Sequence, residues 1–168
     1  MLCALKHFPG RGAGAAGRIY EREIDLKPFL DLARHENAGL IMFSTQTFPQ
    51  LDSSAPAHKS KLVHELLRAQ GQQNVLLTDD VSSGNLTEAE LQAEILALLA
   101  AGNDLILLAN KGGLSDSQLS VKLRRVVQNI LKNKLISAER LEESFGRILA
   151  VKQRHNIEPK EIYLNYAL

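Results

Sequence analysis

Two short clusters of chargeable residues each follow an apolar run. Lys6-His7-Phe8-Pro9-Gly10 comes after Leu2-Cys3-Ala4-Leu5, and Thr78-Asp79-Asp80 comes after Val75-Leu76-Leu77. Runs of that length, bounded by turn-forming residues, predict buried strands. A lysine and a histidine together offer several donors to hydroxyl groups, while a carboxylate can serve as nucleophile or base. In β/α barrels such chemistry gathers where strands end, which makes both clusters candidates for one rim. Read singly, neither decides the matter. Asp79-Asp80 equally fits a strand-end turn in which Asp80 bonds the backbone, and Lys6-His7 fits a solvated lysine beside a structural histidine.

The elements that would position these residues alternate along the chain. A helix is expected around Glu23 to Glu36, with Leu26, Phe29, Leu30 and Ala33 at helical spacing, then a strand Gly39 to Phe43. The segment Pro49 to Pro56 reads as a loop, and a helix bearing Leu62, Val63, Leu66 and Leu67 begins near Ser60. After the strand Val75 to Thr78, Thr87 and Glu90 form a capping box, and Gly102 marks the stop of that helix. A fourth strand is expected at Asp104 to Leu108. Ser115 with Gln118 then caps a long helix striped by Leu119, Leu123, Val126, Val127, Ile130 and Leu131. Ser137 caps a last helix bearing Leu141, Phe145, Ile148 and Leu149, and the tail from Glu158 is ambiguous. About four β/α units plus one extra C-terminal helix predict a parallel sheet in a single domain.

Composition removes several function classes. A net charge of +1 with 23% charged residues gives no basic footprint for nucleic acid. The single cysteine, Cys3, rules out a disulfide framework or a multi-cysteine zinc site and reads as a buried structural thiol. No apolar stretch approaches the roughly 18 residues of a membrane span. The N-terminus lacks the regions of a signal peptide, so a cytoplasmic protein is expected. Gly12-Ala13-Gly14-Ala15-Ala16-Gly17 matches the G-x-G-x-x-G pattern literally. However, Pro9-Gly10-Arg11 lengthens the turn, and Ser44 and Thr45 stand where an acidic ribose ligand belongs, so a surface loop is the better reading. His35, His58, His64 and His155 show no metal-ligand spacing, and Lys122, Arg124, Arg125, Lys132 and Lys134 read as a solvated helix face.

Read in order, the motifs resemble the family 3 glycoside hydrolases of the bacterial β-N-acetylhexosaminidase type. They run Lys6 to Gly10, Leu26-Lys27-Pro28-Phe29, Ile41-Met42-Phe43-Ser44, Phe48-Pro49 with Leu51-Asp52 and Pro56-Ala57, and Thr78-Asp79-Asp80. Ala100-Ala101-Gly102-Asn103-Asp104 and Glu143 to Leu149 with Lys152 complete the series. The resemblance covers residues 1–156, leaving 157–168 as a tail. It implies a partial, half TIM-type β/α barrel corresponding to the second half of the family's catalytic barrel. By that resemblance Asp79 matches the nucleophilic aspartate, and Lys6 and His7 match residues that hold sugar hydroxyls. The implied reaction is retaining hydrolysis of a terminal β-linked N-acetylglucosamine or related sugar, in cell-wall recycling, with no metal and no organic cofactor.

The sequence also departs from that pattern. Arg11 replaces a histidine, and Ala13 to Arg18 contains neither acid nor histidine where the family carries its acid/base element. Gln46 stands where a histidine is common, and Ser83 where a methionine is. At 168 residues the chain falls short of the about 250 of a full barrel. Four strands without four others leave two open edges, so self-association or a missing barrel half is an expected partner besides the carbohydrate. Two functions follow: a truncated or impaired hydrolase, or a non-catalytic remnant binding sugar or protein through the inherited rim.

Overall fold

The apolar runs do become strands, and they lie side by side. In the computed structural model, which describes residues 1–10, 20–81, 86–109 and 113–157, β1 (Cys3–Phe8), β2 (Ala38–Phe43) and β5 (Val75–Leu77) form a parallel sheet in the order β1-β2-β5. Ile41, Phe43, Val75 and Leu76 are buried, the pattern of strands covered on both faces. A separate antiparallel pair, β3 (Thr47–Phe48) and β4 (Asp52–Pro56), occupies the segment expected as a plain loop. Asp52 fixes this hairpin by accepting the Ser54 N–H at 2.8 Å and the Ser60 hydroxyl at 2.6 Å. The Ser54 hydroxyl, which also donates to it at 2.6 Å, and then these bonds hold its carboxyl below the usual range.

Among the described residues five helices accompany the sheet: α1 (Lys27–Leu32), α2 (Lys61–Arg68), α3 (Glu88–Ala101), α4 (Asp116–Lys132) and α5 (Ala138–Arg154). The first is shorter than its apolar spacing suggests, because a wider turn at Arg22–Leu26 precedes it. Ser60, Thr87, Ser115 and Ser137 each cap a helix by accepting a backbone N–H, and Thr87 with Glu90 and Ser115 with Gln118 complete capping boxes. Gly102 ends α3 at φ 121°, and a Cβ there would meet the His64 ring at 3.2 Å. Glycine therefore serves both backbone and packing at this position.

Two apolar clusters hold the layers. Phe8, Leu26, Ile41, Phe43, Phe48, Val63, Leu67 and Leu76 join the sheet to α1 and α2, while Leu91, Ile95, Val126 and Ile130 join α3 to α4. The apolar stripe of α4 is only half used: Val126 and Ile130 are buried, whereas Leu131 is 53% exposed. On α5 Phe145, 65% exposed, and Leu149 turn outward, while Ser144 and Val151 face inward. The reason is Asp104. Its carboxylate is fully buried and accepts the Leu76 N–H at 3.0 Å, the Ser144 hydroxyl at 2.7 Å and Arg68 Nη2 at 2.9 Å. Arg147 Nε stands at 3.4 Å and Arg140 Nη1 at 3.6 Å. Burial lowers the Arg68 pKa to about 10, with Asp104 opposing.

The expected fourth strand is reduced to a single parallel bridge, Leu77 to Leu105. The backbone still follows β5, Thr78 N–H donating to the Leu105 carbonyl and Val81 N–H to that of Leu107. The Thr78 hydroxyl, however, accepts the Leu107 N–H in place of a ladder bond. Among the described residues the sheet has two edges and does not close. Cys3 is partly rather than fully buried. The Gly12 to Gly17 segment, Arg11, Ser83 and the tail 158–168 lie outside the described residues.

Removing Asp104 leaves three guanidinium groups facing one another without their counter-charge, so Asp104→Ala should cost about 3–5 kcal/mol, read from the shift of the urea midpoint. His64 gives a second test. Its ring stacks on Phe43 with centroids 3.9 Å apart, and Nδ1 donates to the Ser60 carbonyl at 2.8 Å. Burial pushes its pKa down from 6.5 to about 4. The unfolded chain thus binds the proton first, so stability should fall as pH drops from 6.5 toward 4. His64→Phe should flatten that slope; an unchanged slope would assign it to another group.

Candidate functional site

Strand register brings the two chemical clusters together. Met42 pairs with Lys6 on one side and with Leu77 on the other. The residues that follow, His7 and Phe8 on β1 and Thr78 and Asp79 beyond β5, therefore emerge level with each other on either side of Phe43 and Ser44. The Ser44 N–H donates to the Phe8 carbonyl at 2.8 Å, closing the gap at the strand ends. The Lys6–His7 and Phe8–Pro9 peptide bonds are cis, and the β1–β2 register shifts between Lys6 and Phe8.

At this rim His7 Nε2 lies 3.6 Å from Asp79 Oδ2, both side chains being partly exposed. Asp79 Oδ1 accepts the Asp80 N–H at 2.9 Å, and Asp80 Oδ1 accepts the Ala109 N–H at 3.0 Å. The two neighbouring carboxylates thus divide their work. Asp80 ties the strand end to the next segment, while Asp79 turns an oxygen toward His7. Lys6 is exposed and makes no side-chain hydrogen bond or ion pair among the described residues. Below the rim, Gly10 at φ 138° packs on Asp25, where a Cβ would meet the Asp25 side chain at 2.8 Å. The Tyr20 hydroxyl, buried beside Phe48, is pushed up to about 12 mainly by that burial.

Two further polar residues, Gln46 and His58, are tied to Ser44 next to these strand ends. Gln46 donates its N–H to the Ser44 hydroxyl, and its Oε1 is buried with no hydrogen-bond partner. His58 lies within a short helical turn, Ala57–Lys59, and its N–H donates to the Ser44 carbonyl at 3.1 Å. From the other side Asn103 Nδ2 donates to the His58 carbonyl at 2.7 Å. The residue is buried, at 6% exposure, and its Nδ1 makes no hydrogen bond of normal geometry. Burial lowers its pKa, Lys59 adds to that, and Glu94 and Asp79 oppose it. The one local signal was its place two residues before the cap Ser60. No group of three or more His, Cys, Asp or Glu among the described residues could hold a metal ion, and no helix there is long and apolar enough to cross a membrane.

Asp80→Ala should cost about 1–3 kcal/mol by stripping the Ala109 N–H of its acceptor. Asp79→Asn should stay within about 0.5 kcal/mol, since its fold-facing bond survives in the amide. Urea denaturation of both variants checks this division, and equal losses would contradict it.

The comparisons with known proteins agree with this architecture. Residues 1–151 match the model of the glycosyl hydrolase family 3 N terminal domain. A beta-hexosaminidase of Bordetella avium is 29% identical over 131 residues, spanning 71% of this chain and 37% of that protein. A family 3 β-N-acetylglucosaminidase from Paenibacillus sp. str. FPU-7 superposes with a TM-score of 0.70 at 26% identity, over 95% of this chain and 32% of that one. The β-N-acetylhexosaminidase of Beutenbergia cavernae shares the fold, with a TM-score of 0.65 and 22% identity over 89% of this chain and 46% of its own. The chain thus spans less than half the length of each of these relatives. It belongs to glycosyl hydrolase family 3.

Proposed function

We propose that this chain carries the nucleophile side of a retaining β-N-acetylhexosaminidase site. Asp79 attacks the anomeric carbon of a terminal β-linked N-acetylglucosamine or related sugar, and Lys6 and His7 hold its hydroxyls. The observation that carries the reading is the 3.6 Å approach of His7 Nε2 to Asp79 Oδ2 at a shared rim. A partly exposed carboxylate beside a histidine at a rim can meet a hydroxylated ring and attack its anomeric carbon. The names of the relatives, beta-hexosaminidase and β-N-acetylglucosaminidase, support the substrate class. Under this proposal the chain acts in the cytoplasm on fragments of cell wall, and its reaction needs no organic cofactor.

A second reading has its own observation. The chain spans 37% of the Bordetella avium relative, so a rim that binds sugar or protein without turning it over is the alternative. The two separate cleanly. Hydrolysis of an activated aryl β-N-acetylglucosaminide by the purified chain should be abolished in Asp79→Asn, and a 2-fluoro glycosyl reagent should add one sugar mass to the peptide containing Asp79. Absence of both turnover and adduct on folded protein would leave the binding reading.

A further inference from the structure

A histidine that grips a sugar hydroxyl is useful only if the backbone carrying it is held still. Asp25 is a carboxylate buried at 5% exposure that the proposed reaction does not use. We propose that Asp25 is a positioning residue: it clamps the turn that follows β1 and thereby keeps the His7 ring facing Asp79, a role that rests on the hydrolase reading above.

The clamp is itself fixed. Asp25 lies in the wide turn Arg22–Leu26, where its N–H donates to the Glu21 carbonyl at 2.7 Å. Its Oδ2 accepts the Glu21 N–H in return at 2.8 Å. The next residue, Leu26, is buried in the apolar cluster that joins the sheet to α1, which ties the turn to the sheet. Against this side chain the backbone leaving β1 is pressed without a gap. A Cβ on Gly10 would lie 2.8 Å from Asp25 Cβ and 3.0 Å from its Oδ1. Only a glycine allows that approach.

Gly10 carries the restraint back to His7. Its N–H donates to the His7 carbonyl at 2.9 Å, which closes the turn between them. Phe8, inside that turn, is fully buried, its ring edge-on to Phe29 of α1 and Phe43 of β2 with centroids 5.4 and 5.1 Å away. The backbone of His7 is thus held from below, while its Nε2 lies 3.6 Å from Asp79 Oδ2 across the rim. Burial and the bond to Glu21 assign Asp25 to this support and not to contact with the sugar. A displacement of about 1 Å at the reacting groups can cost 10²-fold in rate, so a support one turn away is enough to govern the site.

The test is kcat and KM of the full chain on the dinitrophenyl β-N-acetylglucosaminide, for Asp25→Ala, Gly10→Ala, His7→Ala and each of the first two combined with the third. Asp25→Ala should lower kcat/KM by about 10- to 100-fold, with KM rising as it does in His7→Ala, because both loosen the grip on the sugar. In the His7→Ala background the same substitution should cost no more than about twofold further. Gly10→Ala pushes the turn off Asp25 while leaving the carboxylate in place. It should give the same pattern, and it carries the test where Asp25→Ala fails to fold. A lowered kcat at unchanged KM is what a smaller folded fraction would produce. That result, an equal loss with and without His7, or no loss at all would overturn the role of Asp25 and leave that of Asp79 standing. A wild-type chain inert toward this substrate would overturn the hydrolase reading and this proposal with it.

Discussion

The carboxylate of Asp104 is bonded to parts of the chain that are far apart in sequence. It takes the backbone of β5 through Leu76, α2 through Arg68, and α5 through Arg140, Ser144 and Arg147. A buried carboxylate is tolerated only with partners that replace its hydration, and here four side chains and an amide do so. Because α5 approaches the sheet through this polar seam, its apolar residues Phe145 and Leu149 are left on the outside. The seam also sets the neighbouring residues. Gly102 clears the His64 ring, and Asn103 reaches the carbonyls of Leu98 and His58.

That last bond links the structural end of the sheet to the chemical one. Asn103 fixes the backbone of His58, which hangs from Ser44, and Ser44 closes onto Phe8 at the end of β1. A chain of hydrogen bonds, the first from the Asn103 side-chain amide and the others between backbone groups, thus runs from beside the Asp104 hub to the strand ends where His7 meets Asp79. Rigid elements place the site more closely than loops could, and here the reacting groups sit within one or two residues of strand ends. The separation of roles between Asp79 and Asp80 follows from the same geometry: the second carboxylate is absorbed by the Ala109 amide, and the first is aimed across the rim.

Much of the framework was legible because it is local. Capping depends on residues three positions apart, so Thr87 with Glu90 and Ser115 with Gln118 announced two helix starts. Short apolar runs announced three strands. The hairpin of Thr47–Phe48 with Asp52–Pro56 was not legible, since its hydrogen bonds depend on how Asp52 meets Ser60. The faces of α4 and α5 were misread for a related reason. Helical spacing shows which residues share a side, but what covers that side is decided elsewhere, as with exposed Leu131 and inward-facing Ser144.

The sequence by itself determined the order of elements, the family, and the candidacy of Lys6, His7 and Asp79, because residue type next to a strand end is a one-dimensional property. Only the tertiary structure decided which of these meet. It set His7 3.6 Å from Asp79 and left Lys6 exposed, through a register that two strands share with Met42. It also tied the backbone of buried His58 to Ser44 and Asn103. Such proximity arises from hydrogen bonds between residues dozens of positions apart, which no local spacing encodes.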